Sequence, residues 1–281
     1  MADPGLIAEV VRRALAEDLG AGDLTTAAVV PAGARAAARI EQREPGVLHG
    51  LDIAREVFRQ TDSESRFEAL AEHGAWAQPR DVALIEGAAA GILAGERVAL
   101  NLLGRLSGVA TMTARYMEAV KGTGARILDT RKTTPGLRAL EKAAVAAGGG
   151  VSHRAGLYDA ILVKENHSRL AGGVGEAARL AVAGRGGAEF VELEVETLEE
   201  LGEVLVAGVD RVLLDNMSLA DMREAAQRAS GSGVTLEASG GVTLDTVRAV
   251  AETGVDFVSV GALTHSAPAL DVALLLDRYP L

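Results

Sequence analysis

The 281-residue chain has no cysteine. That excludes disulfides, thiolate metal sites and cysteine nucleophiles. Aromatic residues make up only 3% against 48% hydrophobic residues overall, so the core must be built from Ala, Val, Leu and Ile. No apolar run is long enough to span a membrane. Residues 1–19 carry Asp3, Glu9, Glu17 and Asp18 and lack an apolar run of signal-peptide length. Their Leu6, Ile7, Val10, Val11, Ala14 and Leu15 recur at helical spacing instead. The expectation is a soluble, cytoplasmic protein with no membrane partner. Lysine is also scarce, with four among twenty-eight basic residues.

Three of those four lysines, Lys132, Lys142 and Lys164, fall in one stretch that also holds Arg131, Arg138, His153 and Arg154. Lysine kept where arginine is otherwise preferred suggests a need for a compact ammonium that a planar fork cannot replace. The formal net charge is −11, so this stretch inverts the local sign. Such an inversion points to a pocket for a small, highly anionic ligand. A nucleic-acid surface would more often make the whole domain basic, so no nucleic-acid partner is expected.

The first hundred residues read as mixed α+β. Strands are predicted at 36–42, 47–49, 66–70 and 82–90 and a short helix at 53–60. Residues 95–120 form a long helical pattern with Val98, Leu102, Leu106, Val109 and Met112 on one face and a weak point at Ser107-Gly108. From residue 126 the pattern becomes a regular alternation. Strand-like runs at 126–129, 159–164, 189–195, 209–215, 235–239 and 255–260 are separated by helical segments such as 198–206, 219–229 and 244–252. Repeated βα units imply a parallel sheet covered by helices. Six strands fall short of a complete (β/α) barrel. An open or truncated barrel fits better than a doubly wound sheet, because polar residues end every strand and are not confined to one switch point.

Parallel strands direct their C-terminal ends to one rim. The rim would gather Asp129-Thr-Arg-Lys, Lys164-Glu-Asn-His, Glu192-Leu-Glu-Val-Glu, Asp215-Asn, Ser239-Gly-Gly and Val260-Gly-Ala. Isolated basic residues are usually solvated surface charges. Arg131, Lys132, Arg154 and Lys164 at successive strand ends make that reading unattractive here. Glu194 and Asp215 end adjacent strands and could either pair with arginines or hold Mg²⁺, a hard cation that prefers oxygen donors. Glu192 and Glu196 share the alternation of Glu194, and the sequence does not choose among the three. The turns at Ser239-Gly240-Gly241 and Gly261-Ala262 stand where barrels commonly bind phosphate on backbone N–H groups. Gly173-Val-Gly175-Glu-Ala-Ala178 imitates a dinucleotide fingerprint, but no strand feeds it. His49, His73 and His265 look isolated and structural, and His167 stands beside the rim without a clear role.

These motifs resemble the quinolinate phosphoribosyltransferase family. The match runs through Glu17-Asp18-Leu19-Gly20-x-x-Asp23-Leu-Thr-Thr, Glu96-Arg97-Val-Ala-Leu-Asn-Leu-Leu and Asp129-Thr-Arg-Lys-Thr-Thr-Pro-Gly-Leu-Arg. It continues through Gly148-Gly-Gly-Val-Ser-His-Arg, Val163-Lys-Glu-Asn-His, Glu192-Leu-Glu-Val-Glu, Leu214-Asp-Asn-Met and Glu237-Ala-Ser-Gly-Gly-Val. The resemblance implies an N-terminal α/β sandwich domain (residues 1–106, with 267–281 packing back on it) and an open, incomplete (β/α) barrel over residues 107–266. It implies a reaction of quinolinate with 5-phosphoribosyl 1-pyrophosphate, giving nicotinate mononucleotide, pyrophosphate and CO₂ in NAD biosynthesis.

Carried over residue by residue, Arg97, Arg131, His153, Arg154 and Lys164 would surround the two quinolinate carboxylates. Lys132, Glu194 and Asp215 would be the catalytic set, serving the pyrophosphate, the ribose hydroxyls and Mg²⁺, with Glu194 and Asp215 as metal ligands, directly or through water. Ser239, Gly240 and Gly261 would hold the 5-phosphate, and Thr130, Gly241, Val260 and Ala262 would complete the substrate contacts. The family also implies a homodimer or higher homo-oligomer with a shared site, to which Arg97 comes from the neighbouring subunit. The rival readings are a molybdate-transport-associated paralogue acting on another anion, a non-catalytic anion-binding barrel and a nicotinate-specific transferase. The full cationic set disfavours the first and third, and the retained carboxylates disfavour the second.

Overall fold

The computed structural model describes residues 3–278. Five strands come first: β1 (Arg35–Gln42), β2 (Gly46–Val47), β3 (Arg66–Ala69), β4 (Trp76–Ala77) and β5 (Arg80–Ala88). Helices α1 (Pro4–Leu19), α2 (Leu24–Val29), α3 (Leu51–Thr61) and α4 (Ala89–Ala119) are interspersed with them. Asp3 caps α1 by accepting the Leu6 N–H at 2.9 Å, and Pro4 opens the helix where its missing N–H costs nothing. The spacing of Ile7, Val10, Val11 and Leu15 then gives α1 one buried face. Strand β12 (Val272–Arg278) joins this unit, and the antiparallel sheet runs β12-β1-β5-β3. The expected return of the C-terminal segment is therefore a strand pairing, Gln42 with Val272 through Ala38 with Leu276. Residues 279–281 lie outside the described residues.

Three expectations for this unit are corrected. There is no break at Ser107-Gly108, because α4 runs continuously from Ala89 to Ala119. Gly108 serves packing: a β-carbon there would stand 1.9 Å from the Pro268 carbonyl oxygen. Between Leu102 and Thr111 the helix is also buried on nearly every side, not on a single face. The strand expected at 47–49 is only partly formed, since its backbone pairs with helix hydroxyls. Ser107 Oγ accepts the His49 N–H (3.0 Å) and donates to the His49 carbonyl (3.1 Å), while Thr111 Oγ accepts the Val47 N–H (2.8 Å). Four residues of helix rise roughly 6 Å, close to the two-residue repeat of an extended chain, so an i,i+4 hydroxyl pair can replace a strand.

The second half contains β6 (Arg126–Leu128), β7 (Ile161–Val163), β8 (Val191–Val195), β9 (Arg211–Asp215), β10 (Thr235–Ser239) and β11 (Phe257–Ser259). Between and after them come α5 (Arg138–Ala147), α6 (Glu165–Ala171), α7 (Val174–Ala183), α8 (Leu198–Leu205), α9 (Leu219–Ala229), α10 (Val247–Ala251) and α11 (Ala262–His265). The six strands form one parallel sheet in the order β6-β11-β10-β9-β8-β7. β6 and β7 are successive in sequence yet occupy opposite edges. One cavity touches the ends of all six strands, so the sheet curls into a barrel left open between β6 and β7.

The chain divides into two compact units. One comprises Met1–Ala114, Thr134–Gly149 and Ser266–Leu281, the other Arg115–Thr133 and Gly150–His265. Helix α5, placed by the sequence division within residues 107–266, thus packs with the N-terminal unit. Its Glu141 is fully buried and accepts from Arg105 Nε (3.0 Å) and Nη2 (2.8 Å), from the Thr134 N–H (3.0 Å) and from Thr134 Oγ (2.7 Å). Lys142, one of the clustered lysines, is 7% exposed on the same helix and is absent from the barrel cavity. His49 and His73 are not isolated from each other, their rings meeting edge to face at 5.4 Å. Burial and the His73 charge push the His49 pKa down to about 4.

Candidate active site

The barrel cavity measures about 840 Å³, within the range of small-molecule sites. Thr130, Arg131 and Lys132 enter it from the end of β6, and His153 and Arg154 from the loop before β7. Lys164 follows β7, Glu194 lies on β8 and Asp215 ends β9. Ser239 ends β10 and Gly240 and Gly241 follow it, while Val260, Gly261 and Ala262 follow β11. Every site residue expected from the sequence is therefore brought to this cavity except Arg97. Arg97 lies on α4 in the other unit and is not among the lining residues. The cavity wall also includes Asp129 and Asn216, from the rim motifs but given no role by the sequence, and Glu237, Ser259 and His265, which the sequence did not place at the rim. His265, read as structural, thus stands in the site. A lone histidine just past a glycine turn gave no periodic signal that would have placed it.

The β8 carboxylates separate by depth. Glu192 is fully buried, Glu194 has a side chain 10% exposed in the cavity wall, and Glu196 lies exposed beyond the strand. Glu194 pairs with Lys164 and accepts the Glu165 N–H at 3.2 Å. Burial and the nearby Glu194 charge raise the Asp215 pKa, partly offset by the Asn216 side-chain amide donating at 2.9 Å. Two carboxylates that repel one another at a rim can take a divalent cation, with water or substrate oxygens completing the shell. His167 accepts the Lys164 N–H through Nδ1 at 3.0 Å, so it locks the start of α6. Lys132 is held by its backbone: its carbonyl accepts from Thr264 Oγ at 2.9 Å and its N–H donates to Thr130 Oγ at 3.1 Å. That leaves its side chain to act in the cavity.

The cationic side is crowded. Arg154 is 8% exposed and donates to the Ala160 carbonyl at 3.3 Å. Burial and the charge of Arg131 lower its pKa. Arg131 Nε is buried without a hydrogen-bond partner. A buried guanidinium beside a half-buried one that repels it and carries an unpaired buried donor is costly unless an anion joins them. His153 lines the cavity with both ring nitrogens engaged by protein partners. Its Nε2 lies 2.7 Å from Glu192 and 3.4 Å from Glu237, and its Nδ1 accepts the Arg154 N–H at 2.7 Å.

Burial disfavours a charged His153 ring, while the hydrogen bonds and charges of Glu192 and Glu237 act in the opposite sense. An Nδ1 that accepts an N–H must itself be unprotonated, which fixes the Nε2–H tautomer and leaves the additional proton with the carboxylates. In keeping with this, burial and the Glu237 charge push Glu192 up to about 7.

The turn after β10 is tightly packed. Gly240 has φ +103°, and a β-carbon there would stand 2.1 Å from Asn216 Oδ1. Asn216 is itself the one non-glycine residue with positive φ among the described residues (54°), and its N–H donates to the Ser239 carbonyl at 2.9 Å.

Comparison with known proteins agrees with this geometry. Residues 23–107 match the N-terminal domain of quinolinate phosphoribosyl transferase and residues 109–275 its C-terminal domain. The chain belongs to the quinolinate phosphoribosyltransferase family. It is 44% identical over 272 residues to the nicotinate-nucleotide pyrophosphorylase [carboxylating] of Mycobacterium leprae, covering 95% of each chain. A probable nicotinate-nucleotide pyrophosphorylase of Bacillus subtilis is 41% identical over 260 residues, covering 92% of this chain and 89% of the relative. Among solved structures, NadC from Streptococcus pyogenes superimposes with a TM-score of 0.93 at 38% identity, covering 99% of each chain. The nicotinate-nucleotide pyrophosphorylase of Francisella tularensis gives 0.92 at 36%, covering 99% and 98%. The family match spans both units, so the N-terminal sheet and the barrel belong to one enzyme type.

Proposed function

We infer that the protein is a quinolinate phosphoribosyltransferase, joining quinolinate to 5-phosphoribosyl 1-pyrophosphate to give nicotinate mononucleotide, pyrophosphate and CO₂ for NAD biosynthesis. The observation that carries this reading is the crowded pair Arg131 and Arg154, with an unpaired buried guanidinium N–H, beside Lys164 in one cavity. A planar dicarboxylate supplies the paired oxygens that guanidinium forks prefer. The second substrate's 5-phosphate suits Ser239, Gly240 and Gly261, and its pyrophosphate suits Lys132. Glu194 and Asp215 face the ribose hydroxyls. With oxygen donors on adjacent strands, they also fit Mg²⁺, which when bound would neutralise the pyrophosphate leaving group.

In the reaction the C1–O bond of the ribose breaks with its electron pair going to pyrophosphate, and the quinolinate ring nitrogen donates its pair to form the N–C1 bond. Carboxylates near the ribose favour the positive charge that develops on it. The C2–carboxylate bond then breaks, CO₂ leaves, and the electron pair stays on C2 of the cationic ring until a proton replaces the carboxylate. The protein's task is largely orientation and charge neutralisation, worth roughly 7–11 kcal/mol when the reacting atoms are well aligned.

A homodimer supplies Arg97, which is absent from the lining of its own chain's cavity, as a further carboxylate partner. No helix among the described residues is long and apolar enough to cross a membrane, and the cytoplasm is the proposed location. Incubation with quinolinate, the ribosyl donor and Mg²⁺ should yield nicotinate mononucleotide by mass. Nicotinate should be a far poorer substrate, since it leaves buried cations unpaired. Equal turnover of the two acids would overturn the two-carboxylate pocket.

A further inference from the structure

Beneath the acid-binding residues lies a hydrogen-bonded group contributed by β8, β9, β10 and β11 and by the end of β6. Glu192 and Glu237 are 0% and 1% exposed, and both face Nε2 of His153. Ser259 Oγ donates to Glu237 Oε1, and Arg211 Nη1 donates to Glu237 Oε2 at 3.3 Å. Arg211 is in turn held between Phe257 and Phe190, with ring centroids 4.2 and 4.7 Å away. From the opposite side Asp129 accepts the His153 N–H at 2.8 Å and the Ser152 hydroxyl at 3.3 Å. The turn formed by Ser152, His153 and Arg154 is thus gripped from several strands at once. His153, Glu192 and Glu237 also lie close enough together to ligate a cation. Arg211 already supplies the positive charge there, so the hydrogen-bonded reading is the better one.

We propose that Glu192 and Glu237 are positioning residues for acid recognition: they hold the His153 ring, and through it the turn that aims Arg154 into the cavity. This rests on the assignment of Arg154 to the quinolinate carboxylates. The ring nitrogens of His153 are engaged by Glu192, Glu237 and the Arg154 N–H, so its contribution is made through the backbone that follows it. Two carboxylates under a pocket for a dianion would repel the substrate if they were bare. Their pairing with His153 and Arg211 lets them serve as anchors without that penalty. The anchoring is local to the acid half of the cavity, because neither carboxylate hydrogen-bonds to Lys132, Asp215 or the glycine turns.

The test is steady-state kinetics of the full-length enzyme, varying each substrate in turn. Glu192→Met keeps the volume and removes the acceptor; it should raise KM for quinolinate at least thirtyfold and leave KM for the ribosyl donor within twofold. Glu192→Gln can accept from Nε2–H and donate to Glu237, so it should restore quinolinate KM to within about threefold of wild type. Unchanged quinolinate KM in Glu192→Met, an equal rise in both KM values, or failure of Gln to rescue would each overturn the proposal. If Glu192→Met does not fold, Ser259→Ala decides, since it frees Glu237 Oε1. A severalfold rise confined to quinolinate KM supports the proposal and no change overturns it. Arg154→Ala separates the two layers of the argument. Unchanged quinolinate KM there sinks the pocket assignment itself, whereas a large rise there beside an indifferent Glu192→Met sinks only the positioning role.

Discussion

Replacing Gly240 by alanine probes the phosphate side of the site with a single carbon. The added β-carbon would stand 2.1 Å from Asn216 Oδ1, 2.6 Å from its Cγ and 3.1 Å from its backbone N, all well inside contact distance. The residue would also have to hold φ +103°, and left-handed backbone costs an L-residue roughly 1–2 kcal/mol. Relief of the clash requires Asn216 to move, and Asn216 is tied to Asp215 through its side-chain amide at 2.9 Å. The turn and the β9 carboxylate should therefore be displaced together. If about 2 kcal/mol of this strain is expressed in binding, affinity for the ribosyl donor falls roughly thirtyfold. The acid pocket draws on Arg131, Arg154 and Lys164 instead, so quinolinate binding should hold. Calorimetric titration with each substrate, followed by steady-state kinetics, separates the two. A Gly240→Ala enzyme that binds the ribosyl donor as wild type does would refute the assignment of this turn to its phosphate.

Other expectations follow from the same geometry. Lys132→Arg keeps the charge but replaces a compact ammonium with a fork, so turnover should fall at least tenfold; near wild-type kcat would show that only charge matters there. Mixed refolding of Arg97→Ala and Lys132→Ala chains should restore about a quarter of the sites, because half the dimers are mixed and each holds one intact site. No recovery despite verified subunit exchange would exclude an Arg97 contribution in trans. Gly108→Ala forces a β-carbon to within 1.9 Å of the Pro268 carbonyl oxygen and should cost about 3 kcal/mol, read as a lowered urea midpoint; an unchanged midpoint would mean that the segment around Pro268 packs elsewhere.

The barrel was legible because each βα unit announces itself twice, by an apolar run and by the polar residues that end it. The rim motifs lie at those ends, so reading the strands also located most of the cavity wall. What escaped notice depends on partners distant in sequence. Glu192 and Glu194 alternate identically along β8, and only the depth of the barrel separates the buried anchor from the wall residue. Glu237 sits within an apolar strand, and nothing local marks it as the partner of His153. In the N-terminal unit, Ser107 and Gly108 read as a helix weak point because serine and glycine lower helix propensity. Their purpose is instead to pair with His49 and to admit the backbone at Pro268. Residues 47–49 looked like a strand for the complementary reason: they are extended, but their partner is a helix.

The pairing of β1 with β12 gives the chain an order of assembly. Unit two is nearly continuous, and once residue 265 has been made its sheet can close. The N-terminal unit cannot finish so early, because β1 is paired on one side by β5 and on the other by β12. During synthesis β1 therefore waits as an open edge, with Ala36, Ala38 and Ile40 ready to template another strand. The C-terminal segment is the cover for that edge as well as the last piece of the sheet. A chain cut before Val272 should keep its barrel and yet associate through β1, so loss of a few terminal residues would be felt first as aggregation, ahead of any change in the site.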